Sequence, residues 1–298
     1  MIDPLVDLAQ AELHRLEDPE YPFYATGDDL PIRLSELFTG LSESGIMLLD
    51  GSDGFVAGRL VNAPPVYAPG GPVCLSQFLV GGEALVSGFE EQVVARGGVL
   101  ACFEVRANDF SKQAMLSKLG YSPASDWHYR DVLLEEPAGG FEAGTSDDVS
   151  DIVGLCETAR LRLQEYQPVF WRKAADSAEK QAGFLRYLID QKSITTLVHR
   201  GSSGIDGVVT AATRGGDFLY ELRPSACYTD DFALADESYW ETLGAELLKA
   251  IVSLERAKGA LYSQVICPHL NLEKGRMLQT LGYRLGHQWF TKVLSAAA

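Results

Sequence analysis

An α/β (α+β, mixed-sheet) fold laid down twice in tandem is what this sequence predicts, on three observations. Gly51, Asp53, Gly54, Tyr67 and Cys74 recur as Gly204, Asp206, Gly207, Tyr220 and Cys227, each 153 residues on. Gly82, Gly97, Gly120, Tyr121 and Trp127 recur as Gly244, Gly259, Gly282, Tyr283 and Trp289, each 162 residues on. Repetition at constant offsets marks a duplicated unit. Each copy also reads as helices, then an antiparallel meander, then strand–helix–strand–helix–strand, the pattern of helices packed on a mixed sheet. The offsets differ by nine, so the second copy carries nine extra residues between its Cys and the next shared Gly. Cys74 to Gly82 is a strand running almost straight into a helix, whereas Cys227 to Gly244 has room for a ligand-binding loop.

The first copy opens with a helical pattern over 4–16, aromatic-rich turns at Tyr21-Pro22-Phe23-Tyr24, and a second helix near 32–41. Residues 45–49 and 54–61 read as a hairpin turned by Asp50-Gly51-Ser52-Asp53. A rigid loop from Pro64 to Gly71 precedes a buried strand at 73–80. Leu85, Val86, Phe89 and Val93 give 82–96 one apolar helical face. A strand (99–105), a short helix (111–119) stopped by Gly120, and a last strand (128–134) complete the unit. Glu135-Glu136-Pro137-Ala138-Gly139-Gly140 is the one composition break and sets the expected domains at 1–137 and 138–298.

The second copy starts with a strand at 140–143 that the first lacks. Helices follow at 149–163, capped by Ser146-Asp147-Asp148, and at 176–191. Then come a hairpin (194–200/205–213), strands at 217–221 and 226–234, and a helix with Leu243, Leu247, Leu248, Ile251 and Leu254 on one face. Segments at 261–267, 272–281 and 288–294 close the unit. Aromatic clusters such as Tyr166-Gln167-Pro168-Val169-Phe170-Trp171 are expected to be core.

Bulk properties bound the function. At 298 residues and 46% apolar content, the chain can bury two cores. A net charge of −16 argues against nucleic acid, whose phosphates need a basic footprint. The same charge either serves solubility or draws in a cationic substrate. No apolar run is long enough for a membrane span, and the start of the sequence lacks a secretory pattern. Five scattered cysteines fit a reduced, cytoplasmic protein. The five histidines form no ligand-spaced cluster with them, so no metal is expected.

A strand feeding a Gly-bearing helix, and a later short helix ending in Gly-Tyr, resembles the GNAT N-acyltransferase superfamily over both halves. The resemblance implies that the fourth strand of a unit splays from the fifth and that acetyl-CoA, as co-substrate, lies in the gap. Its pyrophosphate would sit on amides of the following helix N-terminus, an anion site by dipole and unpaired N–H groups. In the second copy this implies cofactor contacts at Phe232, Ala233 and Leu234, at Gly244 and Ala245, and at Asn271, eleven residues before Gly282. Asn271 is equally well placed as a helix N-cap. Of the family's phosphate-loop signature, Tyr239-Trp240-Glu241-Thr242-Leu243-Gly244 keeps only the Gly, and Asp236, Glu237 and Glu241 add negative charge.

The family's acid, a Tyr four residues before the Gly, is replaced by Leu278 and, in the first copy, by Leu116. That leaves the general acid unassigned. Asp230-Asp231-Phe232 resembles the Glu-Asp-Phe stretch of the polyamine acetyltransferases, making Asp230 the candidate general base. The other reading of Asp230 is a strand-edge acid paired with an Arg. Strand alternation would send Asp231 to the opposite face. Cys267 and His269 at the next strand's end are competitors. The first copy lacks an acid at that place and reads as degenerate. The implied activity is acetyl transfer to a primary amine of a small molecule or peptide, by a monomer or homodimer. The alternative is a non-catalytic tandem GNAT-fold binding protein.

Overall fold

The computed structural model describes residues 2–17, 29–50, 53–132, 139–202, 204–214 and 225–294. The first copy runs α1 (Asp3–Arg15), α2 (Leu30–Ser44), β1 (Ile46–Asp50), β2 (Gly54–Val61), β3 (Val73–Val80), α3 (Glu83–Ala95), β4 (Leu100–Arg106), α4 (Phe110–Lys118) and β5 (Ser122–Asp131). The second runs β6 (Glu142–Ala143), α5 (Val149–Tyr166), α6 (Ser177–Asp190), β7 (Thr195–Gly201), β8 (Gly204–Arg214), β9 (Ala226–Leu234), α7 (Ala245–Ala257), β10 (Tyr262–Pro268), α8 (Leu272–Thr280) and β11 (Arg284–Val293). From α3 to β5, every boundary recurs 162 residues later in α7 to β11. The expected strand at 217–221, the aromatic turn at 21–24 and most of the 135–140 break lie outside the described residues.

Strand alternation sorts the core into layers. Phe55 and Ala57 of β2 face α1 and α2, in one cluster with Leu34, Phe38 and Phe78. Val56 faces the other way, toward Phe89 and Val93 of α3. In the second copy Val208 packs under α5 and α6, and Val209 under α7. Helices therefore cover both faces of the sheet.

The strands form one sheet, in the order β1-β2-β3-β4-β11-β5-β10-β9-β8-β7-β6. The sequence reading had each last strand closing its own unit. Instead the two are exchanged. β11 pairs antiparallel with β4 of the first copy, and β5 pairs antiparallel with β10 of the second. β5 and β11 also pair with each other, from Ser122↔Thr291 to Tyr129↔Arg284. This pairing explains why both strands start about six and four residues earlier than the sequence suggested: a partner remote in sequence recruits polar stretches that local pattern leaves as loop. The expected strand at 140–143 shrinks to the two residues of β6.

Candidate active site

The site starts from an irregularity in β9. Thr229 lies opposite Ala211 and Phe232 opposite Val209, so Asp230 and Asp231 share the single partner Thr210. That is a β-bulge, which breaks strand alternation and re-aims side chains. The Thr210 hydroxyl pins it by accepting from the Asp231 amide at 3.0 Å. Both carboxylates consequently line the same cavity, correcting the expectation that alternation would turn Asp231 away. At the same point parallel pairing with β10 stops, at Thr229↔Val265. β9 runs on to Leu234 and β10 to Pro268, so the two strands part in the manner the resemblance implies.

The first copy repeats this geometry. Gln77, in the position of Asp230, is the extra residue of a bulge in β3, and pairing with β4 ends at Ser76↔Phe103. Here α1 lies over the parted strands. The buried Arg106 donates to Leu13 O (3.3 Å) and Asn108 to Leu16 O (3.1 Å). Asp109, the counterpart of Asn271, pairs with Arg15 (3.1 Å) and Lys112 (3.2 Å). Burial works against the Asp109 charge, but Lys112 and the Ser111 hydroxyl hold its carboxyl below the usual range. In the first copy, contacts from α1 thus occupy the ground beside the parted strands.

The cavity beside β9 has a volume of about 500 Å³ and draws its walls from both copies. Tyr67 of the 64–71 loop reaches it because that loop is stitched to the second copy, with Ala68 donating to Arg172 O (2.7 Å) and Ala174 to Val66 O (2.9 Å). Phe170 and Trp171 line it too, so these aromatics are wall where the sequence suggested core.

The two carboxylates differ. Asp231 is engaged: it accepts from Gln181 at 2.7 Å and meets Arg160 at 3.5 Å. Arg160, buried, also binds Glu157 at 2.7 Å. Asp230 has no hydrogen-bond or ion-pair partner among the described residues. Its exposed surface lines the cavity. Burial there, then the adjacent Asp231 charge, push its carboxyl up to about 6, against the pull of Arg214 and Arg160.

The other end of the cavity lies where the strands part. Phe232, Ala233 and Leu234 line it, as does Asn271. Asn271 is the helix cap the sequence suggested: its Oδ1 accepts from the Lys274 amide (3.0 Å) at the start of α8, and its Nδ2 donates to Glu237 (3.1 Å) at the cavity wall. The nine-residue insertion is helical, a 3-10 turn (Glu237–Tyr239) and a wide π turn (Trp240–Gly244) leading into α7. Gly244 and Ala245 lie behind the wall. A Cβ on Gly244 would meet the Trp240 ring at 2.7 Å, so packing alone demands glycine there. Ala245 is buried in the α7 core.

A residue the sequence reading missed is Lys274. It is 5% exposed, lines the cavity, and its ammonium lies 4.9 Å from the Phe232 ring and 5.3 Å from that of Trp240. Among the described residues that ammonium has no ion-pair or hydrogen-bond partner. Burial pulls its pKa down. The available signal was a lysine at i, i+3, i+4 spacing with Met277 and Leu278, on the face α8 buries. Leu278 itself is fully buried. The competitors recede: burial pushes the Cys267 thiol up to about 12, and His269 binds Asp126 at 3.0 Å.

The parted strands suit the pantetheine arm of an acyl-CoA, offering free strand backbone beside Asn271 and Lys274. The acids around the helix start are each occupied: Asp236 accepts from the Ser238 amide (2.9 Å), Glu237 faces Arg162 (3.7 Å), and Glu241 faces Arg276 (3.8 Å).

No family model matches the chain, and no curated protein matches its sequence. Solved structures do. A tandem GNAT protein from the clavulanic acid biosynthesis pathway aligns over 99% of this chain and 95% of its own, at 12% identity and TM-score 0.51. A GCN5-related N-acetyltransferase from Sphaerobacter thermophilus aligns over 99% and 93%, at 14% identity and TM-score 0.52. A GCN5-related glucosamine N-acetyltransferase region of a fungal multi-domain GH3 beta-N-acetylglucosaminidase aligns over 96% of this chain and 36% of that one, at 13% identity and TM-score 0.54. The chain has the tandem GNAT fold. Among the described residues no helix is long and apolar enough to cross a membrane.

Proposed function

We propose that the chain is an N-acyltransferase that moves an acetyl group from acetyl-CoA to a primary amine, working from its second unit, 138–298. The observation that carries this is one cavity joining the parted ends of β9 and β10 to a compartment where Asp230 is the one unengaged carboxylate among the described residues. Acetyl-CoA, when bound along Phe232–Leu234 and Asn271, supplies an activated acyl thioester. Asp230 attracts the acceptor's ammonium and takes its proton, leaving the nitrogen lone pair available. Enclosure lowers the ammonium's own pKa toward that of the carboxylate, easing the transfer. Arg160 and Gln181 hold Asp231, and through it the bulge, in place. All five cysteines are buried free thiols, which supports a reducing, cytoplasmic setting.

The test is thiol release by the full chain with acetyl-CoA and a panel of amines. Release above buffer that Asp230→Asn removes supports the reading. Ligand-induced thermal stabilisation with no release from any amine favours the alternative, a binding protein on the same fold.

A further inference from the structure

Six rings on the cavity wall form an unbroken series: Tyr67, Trp171, Phe170, Trp289, Trp127 and Tyr228. Successive centroids are 5.2, 4.5, 6.0, 5.1 and 6.2 Å apart. The rings come from five separate parts of the chain: the 64–71 loop, the segment after α5, the exchanged strands β5 and β11, and β9. The series starts and ends near the same charge. Tyr228 stands two residues before Asp230 on β9, and Tyr67 feels the charges of Arg160, Asp231 and Asp230.

Among the described residues, few charges face this compartment. Asp231 and Arg160 are bound to each other, and Arg160 also to Glu157. Arg214 lies 4.6 Å from the centroid of the Tyr228 ring. Glu237 faces Arg162 (3.7 Å), and the Lys274 ammonium lies against the Phe232 and Trp240 rings, so Asp230 remains the unengaged acid among the described residues. Aromatic faces carry negative potential and attract cations, and ring edges and faces stack on flat apolar groups. An aliphatic polyamine would leave these rings facing methylenes and place a second ammonium where, among the described residues, no second unengaged acid stands.

We propose that the acceptor is a monocationic arylalkylamine: a primary ammonium set against Asp230 and joined by a short linker to a flat aromatic body that stacks within the ring series, with Trp171 its main specificity-determining contact. This rests on the reading of the compartment as the acceptor site and narrows it to one class of amine.

The test is calorimetric binding to the full chain without acyl-CoA, using three probes. 2-Phenylethylamine has the ring and the charge, putrescine has charge without a ring, and 3-phenylpropionate has the ring with opposite charge. 2-Phenylethylamine is expected to bind at least about tenfold more tightly than either of the others. Trp171→Leu should weaken 2-phenylethylamine about tenfold while leaving putrescine unchanged. Asp230→Asn, on the cavity surface, should weaken 2-phenylethylamine and narrow its advantage over 3-phenylpropionate. Putrescine binding as tightly as 2-phenylethylamine, 3-phenylpropionate binding as tightly, or no binding by any probe each overturns the proposal. Thiol release separates the two readings. Turnover of aliphatic amines with no preference for aryl ones defeats this inference and leaves acyl transfer standing. Selective aryl-amine binding without thiol release does the reverse.

Discussion

Asp126 on β5 lies opposite Gln288 on β11 and accepts a hydrogen bond from its side-chain amide at 2.7 Å. The two occupy the same position in the two copies, 162 residues apart. In an antiparallel pair, equivalent residues opposite each other mark the axis relating the strands, so the approximate twofold of the duplication passes through this contact. It is also where two half-sheets become one.

That arrangement predicts how the halves behave apart. Residues 138–298 alone leave β10 and β11 without the strand that pairs with both. We expect this segment to show no cooperative thermal transition as a monomer, and mixing it with 1–137 to restore one. Circular dichroism melts of each half and of the mixture check this. A cooperative, monomeric 138–298 would show that β5 is dispensable.

Asp230→Asn is expected to lower kcat about 10²- to 10⁴-fold with little change in acyl-CoA affinity, the usual scale for a lost general base. In the native chain, kcat/KM should rise with pH through about 6, where Asp230 loses its proton, and the variant should lack that limb. Stability moves the other way. A carboxyl whose pKa is raised on folding favours the folded state only while protonated, and that advantage is lost as pH rises from the unfolded value, near 3.8, to about 6. The variant should therefore melt no lower than the native chain at pH 7.5.

Asp231→Asn should do the opposite. It removes charge from a group that holds Gln181 and buried Arg160, weakening a buried network by about 1–3 kcal/mol. Arg160 keeps Glu157, so the network thins without collapsing. Urea denaturation should show the loss, with a smaller effect on kcat than that of Asp230→Asn. A catalytic collapse at unchanged stability would exchange the roles of the two acids.

Lys274→Met tests a residue that costs stability. Holding a buried ammonium away from water costs several kcal/mol, while contact with two ring faces returns about 0.5–2 kcal/mol each. Desolvation wins, so methionine of similar length should raise Tm at pH 7. Because the lysine pKa is lowered by burial, its cost applies wherever it would be charged in the unfolded chain, and the gain should fade as pH approaches 10. A fall in Tm would show that the ring contacts dominate.

The repeat offsets carried the fold a long way. The 162-residue shift seen in Gly82/Gly244 and Trp127/Trp289 reappears as every boundary from α3 to β5. The cavity lining was legible where it depended on residue type and local order, as with Asp230 and Asn271, which both stand on its wall. It was not legible where pairing between remote segments decided the outcome. Asp231 faces the cavity because Val209 and Ala211 take partners three residues apart on β9. Trp171 becomes wall because Ala68 and Ala174 tie two loops together. Neither contact leaves a periodicity in the sequence. Lys274 did leave one, a cation on the buried stripe of α8.

The exchanged strands also constrain how the molecule comes into being. While the chain is being synthesised, β4 emerges long before β11, its eventual neighbour, and β5 waits for β10 and β11 alike. The first copy therefore passes through an interval with an open, apolar strand edge, the kind of surface that pairs with whatever strand arrives first. Correct completion depends on contacts between segments far apart in the chain, which form slowly. Nascent copies crowded on one message could trade these strands between molecules, so yield should improve at low expression rate and with a chaperone that shields the edge of β4.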